Sequence, residues 1–192
     1  MKKIPLLALV TCVIASPAAL SQTNLSRTTA GSLDWSWLKN TYWIVPPQNL
    51  PSLLFNPSSN VLLPAADQTV YHITDYRGGY FWGKNVTKVG RLPVACSSLV
   101  GSVTPTGRVL LSFTSVKSDG SESVQQGFGE MVLQGHAWTM LNQTSTSSFA
   151  HWAYMVQSKP GDASWRSLPG VRQSVPDFLA QCPGSGPQIG VR

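Results

Sequence analysis

Histidines 72, 136 and 151 are the side chains of this chain able to act as bases near neutral pH. His72 alternates with Val70 and Thr74, and His151 with Phe149, Ala153 and Met155, so each belongs to one face of a β-type segment. His136 falls in a turn sequence. Glu130 alternates with Phe128 and Val132. If that face points inward, the carboxylate needs a partner or a raised pKa; if the Met131 and Leu133 face is the core, Glu130 is solvated. Lys84 shares parity with Tyr80 and Trp82. A catalytic reading requires two of His72, Glu130, His151 and Lys84 to converge, as a His–Glu or Tyr–Lys pair. Asp75 reads as an ion partner of Arg77, and Asp34 as the cap of a short helical turn.

The motifs that would name a reaction are absent: HExxH, GxSxG, GxxxxGK[ST] and CxxC do not occur. The histidines do not have the local spacing of zinc sites. The reading therefore assigns no catalytic residue, metal or cofactor.

Aromatic periodicity is the stronger signal. Tyr71 with Ile73, Tyr80 with Trp82, and Trp152 with Tyr154 each recur at period two and share a sheet face. With these faces inward, Trp43, Tyr71, Trp82, Trp138, Trp152 and Tyr154 line a cavity for a small hydrophobic or aromatic ligand, with His72, His151 and Glu130 as polar contacts. Gly83, Gly101, Gly127 and Gly129 would leave room for it. In the competing reading the rings simply fill the interior.

The elements that must position these residues are mostly strands. Strands are expected at Thr41–Val45, Thr69–Tyr76, Gly79–Thr87, Ser98–Val103, Arg108–Ser115, Gly127–Leu133, Ala137–Gln143 and Phe149–Gln157. Tight turns near positions 78, 106 and 135 carry glycine, and Pro105 presets the second. Pro46 to Gln68 holds five prolines and reads as a long lid loop, with a helical turn at Asn49–Phe55. Ser174-Val175-Pro176-Asp177 opens a short helix that Pro183 stops.

Hairpin following hairpin, without long helices, argues for a mainly β antiparallel up-and-down meander. Closing it into a roughly eight-stranded barrel removes aggregation-prone edges; a two-sheet β-sandwich is the alternative. Across 33–157 the meander and its Trp-rich lead (Trp35, Trp37, Trp43) resemble the calycin group, the lipocalins and avidins, whose small barrels hold one ligand. The lipocalin Gly-x-Trp signature is missing, because Asn40-Thr41-Tyr42-Trp43 lacks the glycine. The resemblance implies an architecture.

Residues 1–21 have the layout of a cleaved export signal: Lys2 and Lys3, an apolar run from Ile4 to Ala15, and an Ala19-Leu20-Ser21 exit. Residues 22–32 read as a flexible leader, 33–182 as one barrel domain and 183–192 as a disordered tail. Export implies a periplasmic or secreted protein in an oxidising setting. Cys96 and Cys182, the cysteines left after the signal, then most simply pair. Without Lys2 and Lys3, 12 basic side chains face 8 acidic ones, scattered along the chain. That distribution is not the concentrated basic face of a nucleic-acid binder. No second apolar run approaches a membrane span.

Three functions follow in order. The first is an exported ligand-binding barrel. The second is an interaction or inhibitor module for another envelope protein, using Leu50, Leu53, Leu54 and Phe55. The third is a small-barrel enzyme built on a His/Glu pair.

Overall fold

Glycines with positive φ reverse the chain where the turn sequences lie: Gly78 and Gly79, Gly107, and Gly135. Between and around them run the strands β1 (Thr41–Ile44), β2 (Pro51–Asn56), β3 (Val61–Arg77), β4 (Tyr80–Val89), β5 (Ala95–Val103), β6 (Arg108–Val116), β7 (Glu122–Gln134), β8 (Ala137–Ser145) and β9 (Phe149–Gln157). Two short helices follow, α1 (Ala163–Arg166) and α2 (Val175–Ala180). This computed structural model describes residues 33–117, 119–184 and 186–187. The signal read at 1–21, the leader at 22–32 and most of the tail at 183–192 lie outside the described residues.

From β3 to β9 each strand pairs antiparallel with the next, and β9 returns to pair with both β1 and β2. Both of these pair with β3, β1 against Val70–Ile73 and β2 against Val61–Ala66. Together β1 and β2 fill one position in the wall, so the nine strands make a closed eight-stranded antiparallel barrel with one extra strand. Pairing β9 to the first strands closes the sheet, while β3 residues 61–66 extend past β4 and pair with β2 alone.

Residues 46–68 are not a lid. Val45 N–H donates to Thr69 O and Asp67 N–H to Leu50 O, so 45–50 bulges out of a strand that resumes at Pro51. A 3₁₀ turn, Pro47–Asn49, fills the bulge, and the expected helical turn at 49–55 is β2. The prolines occupy positions that tolerate them. Pro47 starts the 3₁₀ turn, Pro51 opens β2, Pro57 lies at a hairpin tip, and Pro64 sits where β3 extends past the end of its β4 pairing. Proline content alone therefore misread this segment as a loop.

Two cores share the wall. Inside, Trp35, Trp43, Tyr71, Ile73, Phe81, Leu99, Leu111, Met140 and Met155 pack together. Outside, Ile44, Val70 and Val86 are covered by Leu168, Val175, Phe178 and Leu179. Ser174 caps α2 by accepting from Asp177 N–H at 3.1 Å. Cys96 on β5 and Cys182 just after α2 are joined, with Cα atoms 5.6 Å apart, pinning the helix to the wall. Lys84 Nζ donates to Leu179 O at 3.3 Å, placing a cation near the α2 C-terminus.

Candidate functional site

Side-chain parity sorts each strand into an inward and an outward set, and the inward set changes character along the barrel axis. At the end carrying the 78, 106 and 135 turns, rings fill the bore. Trp35 packs edge-on against Trp138 at 5.0 Å and lies beside Trp37, which contacts Trp43. Trp35 Nε1 donates to Thr104 O at 3.0 Å, fixing this plug on the β5–β6 turn. Asp34 accepts the Ser36 N–H at 2.9 Å from one position before the N-cap of the Ser36–Leu38 turn, which is Trp35.

The glycines create no void in this half. A Cβ on Gly83 would meet the His72 and Thr74 backbone, and one on Gly129 the Leu141 backbone; at Gly101 the Phe81 ring occupies the space. Close approach, rather than an open cavity, explains them.

Towards the opposite end the inward residues turn polar. Tyr71 is followed up the wall by Thr69 and Asp67, Phe81 by Asn85 and Thr87, Phe113 by Ser115, and Met140 by Asn142 and Thr144. A cup of about 290 Å³ opens there, with Leu54, Leu92, Phe113 and Phe149 as apolar wall and Asn85, Thr87, Ser97, Ser115 and Gln125 among its polar lining. Below it, and sharing Asn85, Thr87, Phe113, Gln125 and Phe149, lies a chamber of about 40 Å³ reaching Asp67, Asn142 and His151. The side chains lining the cup carry no formal charge.

One ion pair stands in the chamber. His151 Nδ1 meets Asp67 Oδ2 at 2.9 Å, and His151 Nε2 lies 2.7 Å from Asn49 O in the 45–50 bulge. A carboxylate and a carbonyl both accept, so making both bonds requires two imidazole N–H groups and hence the protonated ring. Burial pulls the His151 pKa down. Its hydrogen bond to Asp67, the carboxylate charge and the Asn49 carbonyl outweigh that, and the pKa lies above the ordinary histidine value of 6.5. Asp67 Oδ1 also accepts from Thr69 Oγ1 at 2.6 Å. From Thr69 the contacts continue to Thr87 at 2.9 Å, to Asn85 Oδ1 at 3.1 Å and to Ser97 at 2.9 Å, running from floor to rim. Beside the pair, Asn142 Nδ2 donates to the Tyr71 hydroxyl. Burial, with the Asp67 charge adding to it, holds the Tyr71 phenol well above its ordinary pKa.

Of the residues read from sequence, Trp43, Tyr71 and His151 point inward, and Trp138 joins the plug at the closed end. The others belong to the outer surface. Trp82 alternates with the inward Phe81 and Gly83, and Trp152 and Tyr154 with the inward His151, Ala153 and Met155. Both parities of β4 and β9 are apolar, so periodicity alone could not choose between them. His72 stacks on Tyr42 at 4.2 Å outside the wall, and burial, then the Lys84 charge, hold its pKa below the ordinary value. Glu130 is exposed on β7, the solvated alternative. His151 and Glu130 therefore stand on opposite sides of the wall and form no His/Glu pair. Asp75 pairs with Lys39 at 2.8 Å, not with Arg77.

Sequence reading misses Asp67, which falls in the proline-rich stretch 46–68, and misses Asn85, Phe113, Asn142 and Phe149. The available signal was the change from apolar to polar along one parity, as in Met140-x-Asn142-x-Thr144. Among the described residues no three His, Cys, Asp or Glu side chains gather to hold a metal ion, and no helix is long and apolar enough to cross a membrane. Comparison with protein-family models, curated proteins and solved structures finds no match for the chain.

Proposed function

We propose that the protein is an exported small-molecule-binding barrel that takes an uncharged ligand through its open end. The observation that carries this is the cup of about 290 Å³, apolar on one wall and neutral hydrogen-bonding on the other, narrowing onto a buried polar floor. A concave apolar site with a few convergent polar groups suits a compact organic ligand, and this volume is near the lower end for such sites. Aromatic recognition falls to Phe113 and Phe149 at the cup, since the tryptophans of the interior belong to the plug. The calycin-like reading gains support from the closed meander with one open end. Export gains support from the Cys96–Cys182 bond, which suits an oxidising compartment.

A thermal-shift screen of neutral and charged compounds tests the reading, with Ser115→Trp as the control that fills the cup. Neutral hits that stabilise the protein and lose their effect in Ser115→Trp are expected. Hits unaffected by that substitution, or none across a broad screen, would overturn it.

A second reading, an interaction module for an envelope protein, is favoured by the hairpin arm of β2 and β3. Leu53, Val61, Leu62 and Leu63 are exposed along it. In that reading Leu62→Asp with Leu63→Asp abolishes partner binding and leaves cup hits intact.

A further inference from the structure

Resting on the cup as a ligand site, we infer that its innermost subsite accepts a neutral hydroxyl or carboxamide group of the ligand, recognised by Asn142 together with Tyr71. Asn142 is 5 % exposed, and its Oδ1 takes no hydrogen bond from any described residue. A buried amide oxygen without a donor is costly, and a native site that keeps one requires an explanation. Its Nδ2 is engaged by the Tyr71 hydroxyl oxygen. The Tyr71 phenol, held in its protonated form, retains an O–H to give. Exchanging the amide's two ends lets Tyr71 donate to the oxygen and leaves the nitrogen unpaired. As set, the pair lacks a donor to Oδ1 and an acceptor for the phenol proton; exchanged, it lacks an acceptor for the nitrogen, and a group that both donates and accepts serves either setting.

Gly127 packs closely against that oxygen. A Cβ there would lie 2.9 Å from Asn142 Oδ1 and 2.8 Å from Thr144 Cγ2, so a side chain from β7 cannot serve as the partner without displacing them. The chamber of about 40 Å³ exceeds the roughly 10–15 Å³ needed for one water-sized group. It holds a hydroxyl or carboxamide while the rest of the ligand lies in the cup.

The facing wall, by contrast, satisfies its own groups. Thr69 gives its hydroxyl proton to Asp67, so it can only accept from Thr87. Thr87 then faces two acceptors, Thr69 Oγ1 at 2.9 Å and Asn85 Oδ1 at 3.1 Å, with a single proton. Exchanging the two ends of the Asn85 amide relieves this, because Nδ2 then donates to Thr87 and Oδ1 accepts from the Ser97 hydroxyl. Charge selects against ions: Asp67 and His151 neutralise each other in the chamber wall, leaving no net charge to balance an ammonium or a carboxylate.

Titration of the ¹⁵N-labelled protein with matched probes tests this: benzamide and benzyl alcohol against ethylbenzene, benzoate and benzylammonium. The first two are expected to shift the Tyr71, Asn142 and Thr144 amides and to bind about tenfold or more tighter than the other three, the worth of about one buried hydrogen bond. Asn142→Leu should erase the preference over ethylbenzene; if it fails to fold, Tyr71→Phe must reduce that preference. Equal binding of benzamide and ethylbenzene at Phe113 and Phe149 would overturn the subsite and leave the cup standing. No shift at the cup with any probe would overturn both.

Discussion

His151 on β9 and Asp67 on β3 meet inside the barrel at 2.9 Å, and the same imidazole reaches Asn49 O in the bulge that divides the first wall position. One side chain thus ties β9 to β3 and to the 45–50 bulge. It also anchors the line of hydroxyl and amide groups that climbs to the rim. Because both ring nitrogens are engaged by acceptors, His151 organises the floor and has no free nitrogen with which to take a proton.

This pairing fixes a pH dependence. The folded-state pKa of His151 is raised, so its contribution to stability is complete below the ordinary value of 6.5 and is lost as pH rises through the raised folded value. Urea midpoints measured from about pH 6 to about pH 9 should fall with pH, and fall less in His151→Gln. An equal slope in both proteins would contradict the assignment.

Removing the carboxylate should cost more than an exposed pair would. Asp67→Asn leaves a buried imidazolium without its counter-charge, an expected loss of about 3–5 kcal/mol unless the ring deprotonates. The measurement is urea unfolding alongside an NMR titration of His151, whose pKa should drop in the variant. An unchanged histidine pKa would show that the two groups do not interact.

The disulfide should matter in proportion to the chain it closes. Cys96 and Cys182 are 86 positions apart, for which loop-closure entropy gives about 4–5 kcal/mol as an upper figure. Cys96→Ser with Cys182→Ser should lower the unfolding midpoint and loosen α2 first, read as faster amide exchange at Phe178 and Leu179. Unchanged exchange there would mean that the outer core holds the helix without the bond.

Close backbone approach at the glycines predicts an unequal pair of variants. Gly129→Ala drives a methyl group into the Leu141 backbone and should cost about 1–3 kcal/mol or more. Gly120→Ala, at a polar turn with open space around it, should cost no more than the strain of its positive φ, about 1 kcal/mol. Thermal melts that rank the two in the opposite order would count against the packing described for β7 and β8.

The barrel was legible because its signals are local. Glycine turns at 78, 106 and 135, period-two alternation and the Ser174 cap each act within a few residues. The first wall position was not, because 46–68 depends on pairing between segments: Pro64 reads as a loop residue until its neighbour strand is seen to end. The direction of β4 and β9 was hidden for a different reason. Phe81 and Trp82, like Met155 and Tyr154, are equally credible core residues, and only closure of the sheet decides which faces in. The floor needed both kinds of information, since Asp67, Asn142 and His151 come from three strands and no one segment contains two of them.

Native mass spectrometry of the protein purified from its own host tests the central claim most directly. The account predicts a population carrying one small neutral compound per chain, absent from Ser115→Trp prepared in the same way. A bare protein mass in both, or a bound compound that persists when the cup is filled, would contradict it.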